Sequence, residues 1–140
     1  ALAVLMIGTN DAEQLDVPTY TRNLGEILDR VARRKVVLLL STIPELRSSP
    51  AAGARAQQIN AVIRQTAAAR HLPLIDYHAA LAGIPNQGLS DDNIHPSAYV
   101  ENNDTKAAVL TPAGLRHGYN VRNLTLLLGL ERAVAALGIR

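Results

Sequence analysis

The 140-residue sequence contains no cysteine, which excludes a disulfide framework, a thiolate zinc site and a cysteine nucleophile. It also lacks any massing of one charge. Fourteen Lys and Arg stand against twelve Asp and Glu, a formal +2, and the basic residues are scattered. The clustered basic stripe of a nucleic-acid binder is missing, so that function is not expected. No apolar run approaches the length of a membrane span; Val36–Leu40 is of strand size and Leu124–Leu130 of short-helix size. Repeats, low-complexity segments and a Gly-rich phosphate loop are absent too. What is present is ordinary for a globular domain, with 48% hydrophobic and 19% charged residues. The opening ALAVLMIG has no basic region before it and no small-residue cleavage site after it, so it reads as a buried strand rather than a signal peptide.

Along the chain the hydrophobic period switches between strand and helix. Ala1–Ile7 is a continuous apolar run closed by Gly8-Thr9-Asn10-Asp11, the pattern of a strand covered on both faces and ended by a polar loop. From Tyr20 to Arg34, Leu24, Ile27, Leu28 and Val31 recur at helical spacing, with Thr19 or Thr21 as the cap. Lys35–Leu40 is a second apolar strand and Glu45–Gly53 a surface loop. Ala54–Arg70 forms the next helix, with Ile59, Val62, Ile63 and Ala67 inward and Arg55, Gln58, Arg64 and Gln65 outward. Leu74–Tyr77 is a short third strand, Ala79–Gly83 a turn of helix, and 84–97 a loop. Residues 98–117 read as an irregular exposed insertion, and Arg122–Leu137 as a closing helix ended by Gly138. Strands alternating with amphipathic helices imply a parallel sheet with helices on both faces, one α/β domain over 1–140. Three strands are few, and an apolar terminal strand would leave a sticky edge. We expect Ala1–Ile7 to pair with a preceding segment or a separate chain.

Ligands of such sheets bind at the C-terminal ends of the strands. Those ends carry Gly8-Thr9-Asn10-Asp11, Ser41-Thr42 and the loop Leu89–Pro96. In the last, Asp92 stands three residues before His95, close enough to fix the imidazole tautomer through Nδ1 and leave Nε2 to face a substrate or nucleophile. An Asn at a neighbouring strand tip can donate its amide to a developing oxyanion. The structural alternatives are plain: Asn10 and Asp11 as strand terminators, Asp91 as a solvated acid, His71 at a helix C-terminus, His78 and His117 as packed or exposed loop residues. Asp91, Asp92 and His95 fall short of a closed metal site, and neither metal nor cofactor is expected.

Gly8-Thr9-Asn10-Asp11 resembles the G-x-N-D block of the SGNH hydrolases, the GDSL-type esterases and lipases. Asp92-Asn93-Ile94-His95-Pro96 resembles their D-x-x-H-P block, in the expected order and spacing. Tyr20–Leu24 and Val36–Pro44 are similar to the family's middle section. The resemblance implies a three-layer α/β/α flavodoxin-like fold and hydrolysis of an acyl or acetyl ester on a carbohydrate or lipid. It implies His95 as general base, Asp92 as its orienting carboxylate and Asn10 as oxyanion donor, with Gly8, Thr9 and Asp11 beside the substrate. The family's nucleophilic G-D-S block has no counterpart in these residues, so the sequence corresponds to the later portion of the fold, lacking its opening strands. Among internal serines Ser41, at a strand end, is the best substitute. A non-catalytic assembly module that keeps these loops is the alternative. A secreted or envelope location is the expected one.

Overall fold

Three short runs of the most apolar residues build the centre. In the computed structural model, which describes residues 1–138, β1 (Leu2–Leu5), β2 (Val37–Ser41) and β3 (Leu74–Ile75) form a parallel sheet in the order β1-β2-β3. Its register runs from Leu2 opposite Val37 to Leu5 opposite Leu40, and from Leu40 opposite Leu74 to Ser41 opposite Ile75. Strand alternation sorts the side chains. Leu38 and Leu40 pack with Tyr20, Leu24 and Leu28 of α2 (Val17–Arg33) and Ile59 and Ile63 of α3 (Pro50–Ala69). On the other face Leu39 packs with Ile75 and with Ala133, Leu126 and Leu130 of α5 (Gly118–Ala136). The sheet is thus covered by helices on both faces, as the alternating pattern requires, and β1 lies at one end of the sheet.

Several boundaries differ from those the periodicity predicts, for local reasons. The Gly8–Asp11 stretch is not a loop: Thr9–Gln14 forms a short helix, α1. Helix α2 starts at Val17 because Asp16, not Thr19 or Thr21, is the cap; its Oδ1 accepts from the Thr19 N–H at 2.7 Å, and Pro18 follows in the first turn. Helix α3 likewise starts at Pro50, capped by Ser49. The supposed surface loop before it buries Leu46, which is 1% exposed and joins the α2–α3 core. Strand β3 stops at Ile75, since Asp76 leaves the sheet to cap α4 (Tyr77–Ala80), accepting from the Ala79 N–H. Helix α5 begins four residues before Arg122, and Gly138 closes it with φ +62°.

The 98–117 segment is largely exposed, as expected, but contains regular structure. A two-stranded antiparallel hairpin, β4 (Val100–Glu101) and β5 (Asp104–Thr105), is turned by Asn102 and Asn103, both with left-handed backbone. Two amides of α5 hold the rest. Asn120, fully buried, donates to the carbonyls of Lys106 and Val109 at 2.8 Å each, and Asn123 donates to that of Ala107 at 2.9 Å. Among the described residues no helix is long and apolar enough to cross a membrane.

Arg64 and Asp76 fasten the end of β3. The guanidinium donates to both carboxylate oxygens at 2.9 Å, and the Thr42 hydroxyl donates to Oδ1 at 3.0 Å. These contacts, the Arg64 hydrogen bonds foremost, hold the Asp76 carboxyl below its ordinary range. A carboxylate with a depressed folded pKa contributes stability that is present above the unfolded value of about 4 and is lost as pH falls through the folded one. Asp76→Asn is therefore expected to lower the urea midpoint at pH 7, with a gap from wild type that narrows below about pH 4. A gap independent of pH would contradict the ion-pair assignment.

Candidate active site

The loop between α4 and α5 carries the carboxylate and the imidazole. Its base is closed by an antiparallel bridge between Leu89 and Pro96 and by the Ser90 N–H donating to the His95 carbonyl at 2.8 Å. Asn93 turns the tip with φ +60°, a conformation Asn tolerates better than most residues. Inside this turn the two oxygens of Asp92 divide their work. Oδ1 accepts from the N–H groups of Ile94 and His95, both at 2.9 Å, and from the Ser90 hydroxyl at 2.8 Å. Oδ2 lies 2.7 Å from His95 Nδ1.

The backbone N–H and ring nitrogen of His95 lead the contacts that hold the Asp92 carboxyl well below the usual carboxylate range. As an ionised acceptor it requires the proton on Nδ1, so the neutral ring presents an unprotonated Nε2. The His95 side chain is 66% exposed, which leaves that nitrogen reachable. This is the arrangement the Asp92–His95 spacing predicts.

The loop is anchored from three sides. Ile94 packs on the α2–α3 core together with Met6 and Ile7 at the end of β1. The Ser97 hydroxyl accepts from the Gly118 N–H, and the buried Tyr77 hydroxyl donates to the Gly118 carbonyl at 2.9 Å. Gly118 is where α5 touches the loop: a Cβ there would stand 2.2 Å from the Gly88 carbonyl oxygen and 2.9 Å from Pro96 Cβ. Burial pushes the Tyr77 hydroxyl above its ordinary range, which keeps it a donor.

At the end of β1, Gly8 opens α1 with φ +132°. It is buried, and an added Cβ would lie 2.9 Å from Ile59 Cγ2 and 3.4 Å from the Tyr20 ring. The Tyr20 hydroxyl donates to the Ile7 carbonyl just before it. Only glycine satisfies both the backbone angle and the space. Gly8→Ala is expected to cost about 1–3 kcal/mol, read as a lower urea midpoint at unchanged slope; a wild-type midpoint would contradict this. Asn10 follows in the first turn of α1, exposed, between the half-buried Thr9 and Asp11. Asp92, His95 and Asn10 all stand at or beyond the C-terminal ends of the strands. Gly8 offers backbone only, not a side chain.

Ser41, the best internal substitute for a nucleophile, is 1% exposed and donates to the Thr42 carbonyl. Ser90 is spent on Asp92 and Ser97 on the Gly88 carbonyl. Among the described residues no serine hydroxyl hydrogen-bonds the His95 ring. Nor do three His, Asp or Glu side chains there gather to hold a metal.

Two groups of residues were not legible as part of this region. Arg55 and Arg64 fall on the polar face of α3 and read as solvated. Instead Arg64 takes Asp76, and Arg55 Nε donates to the Ala12 carbonyl of α1 at 2.5 Å. Arg47, in the supposed surface loop, donates its N–H to the Asn93 carbonyl at 2.9 Å. Only an arginine otherwise unpaired at i±3 and i±4 could have signalled this.

A helix-covered parallel sheet with a carboxylate-oriented imidazole at its C-terminal rim is a scaffold of hydrolytic enzymes. The chain belongs to the GDSL-like Lipase/Acylhydrolase family, whose profile matches residues 1–99. Its structure is similar to that of a GDSL-like lipase from Bacteroides thetaiotaomicron, with a TM-score of 0.70 at 20% identity over 95% of this chain and 63% of that one. A lipase/acylhydrolase from Enterococcus faecalis is similar at TM-score 0.63 and 23% identity, over 91% of this chain and 58% of that one. An alpha/beta hydrolase enzyme from the metagenome of Lake Arreo gives the same values. At these identities the likeness is one of fold. The chain spans about three fifths of the length of these structures. No curated protein matches it.

Proposed function

We propose that the chain supplies the base, its orienting carboxylate and an oxyanion donor to a serine esterase of the SGNH type, whose nucleophile lies on a segment outside these residues. The observation that carries the reading is the 2.7 Å contact between His95 Nδ1 and Asp92 Oδ2, with Nε2 left open. In the reaction His95 Nε2 takes the proton of the serine hydroxyl as its oxygen attacks the ester carbonyl. Asp92 stabilises the imidazolium, and the Asn10 amide donates to the oxyanion of the tetrahedral intermediate. The imidazolium then passes its proton to the departing alcohol. Water, activated by the same imidazole, releases the acid. Gly8, Thr9 and Asp11 shape the substrate side of α1.

The serine-bearing segment adds on the outer edge of β1, as an opening strand of a three-layer flavodoxin-like fold. Two features support this placement. All four residues of β1 are only half-buried although apolar, and beside Leu126 and Leu130, which like Leu2 and Val4 pack on the Leu39–Ile75–Ala133 cluster, Leu127 is 56% exposed. An unpaired apolar edge next to uncovered leucines is a surface in need of a cover. The test is hydrolysis of short acyl and acetyl esters by the full-length protein. Turnover that a serine-directed fluorophosphonate abolishes is expected; turnover indifferent to it would overturn the mechanism.

A further inference from the structure

The connection between β2 and α3, with the first turns of α3, grips both halves of the proposed site. Towards the imidazole loop, the Arg47 N–H donates to the Asn93 carbonyl, and its guanidinium donates to Asn86 Oδ1 at 2.7 Å and Glu45 Oε2 at 3.0 Å. Asn86 in turn donates to the Leu89 carbonyl where that loop begins. Towards α1, the Ser48 hydroxyl donates to the Glu13 carboxylate, and Arg55 donates to two carbonyls, Ala12 at 2.5 Å and Glu13 at 3.5 Å.

The Arg55 contact has a particular consequence. Helix α1 is six residues long and has no side-chain hydrogen bond at its N-cap, because Gly8 has no side chain to give one. At the other end its last carbonyls lack intrahelical partners. The guanidinium fills that need and adds a positive charge at the negative end of the helix dipole. A helix this short moves as one body, so whatever fixes Ala12 and Glu13 also fixes Asn10 one turn earlier.

We propose that Arg55 is a positioning residue: it sets the Asn10 amide against the His95 loop, which the same connection holds through Arg47. The inference rests on the esterase reading. An oxyanion donor works only when it is held where the charge forms, and displacement by about 1 Å costs up to about a hundredfold in rate. The buried Ala12 still seats α1 in the core, so removing the guanidinium loosens the helix without freeing it.

The experiment is a double-mutant cycle in the full-length protein with a short-chain nitrophenyl ester. Arg55→Met, which keeps the stem and removes the donors, is expected to lower kcat about tenfold and change KM by less than about twofold. In an Asn10→Ala background it should add less than about twofold, because the group it positions is gone. Arg55→Lys, which keeps the charge and one donor, should recover part of kcat, and it runs the same cycle should the Met variant fold poorly. An unchanged kcat, or an equal loss with and without Asn10, would overturn the proposal. If His95→Ala is inactive while Arg55→Met behaves as wild type, this inference alone fails. If wild type shows no turnover at all, the esterase reading fails and takes it along.

Discussion

Replacing His95 by Ala in the full-length protein is expected to lower ester turnover by about 10⁴-fold or more, the size seen when a member of a Ser-His-Asp set is removed. The loss should be chemical rather than structural. The ring is two-thirds exposed, and among the described residues its only hydrogen-bond partner is Asp92. Once the ring is gone, Asp92 Oδ1 still accepts from the N–H groups at positions 94 and 95 and from the Ser90 hydroxyl. The turn that presents residue 95 therefore survives, and the unfolding free energy from urea titration should stay within about 0.5 kcal/mol of wild type, as for most surface changes. Near-normal turnover by a folded His95→Ala protein would remove the imidazole from the mechanism.

Asn10→Ala is expected to lower kcat by about a hundred- to a thousandfold with little change in KM, the usual cost of one oxyanion donor. Its contrast with Gly8 is informative, since the two lie two residues apart in the same block. Gly8 is buried under Ile59 and Tyr20, so its substitution disturbs packing. Asn10 is exposed in a helical turn that alanine favours. Stability should thus respond to position 8 and catalysis to position 10. A stable Asn10→Ala protein with wild-type kcat would show that the amide does not meet the oxyanion.

What could be read from the residues alone follows from how local each contact is. Asp92 and His95 are three residues apart, and the turn between them is made by their own backbone groups, so the pair was legible. The alternation of strands and helices was legible too, because Leu38, Leu39 and Leu40 must face opposite sides of a covered sheet. Helix α1 was not. Six residues carry too little periodicity, its cap is a glycine, and its stability comes from the buried Ala12 and from Arg55 on a distant helix. The 98–117 segment was opaque for the same reason, since the amides of Asn120 and Asn123 that order it lie on α5. Other boundaries carry local signals: Asp16 before Val17-Pro18 and Ser49 before Pro50 both mark helix starts. A buried strand end also hides its own exposure, so Ser41 looked available in the sequence and is enclosed in the fold.

The central claim is that His95 acts on a serine that these residues do not contain. Peptide mass mapping of the full-length protein after fluorophosphonate treatment tests it most directly, with wild type and His95→Ala compared side by side. One adduct is expected in wild type, on a serine outside residues 1–140, and its loss in the variant. An adduct on Ser41, Ser90 or any other serine of this chain, or labelling that ignores the loss of the imidazole, would contradict it.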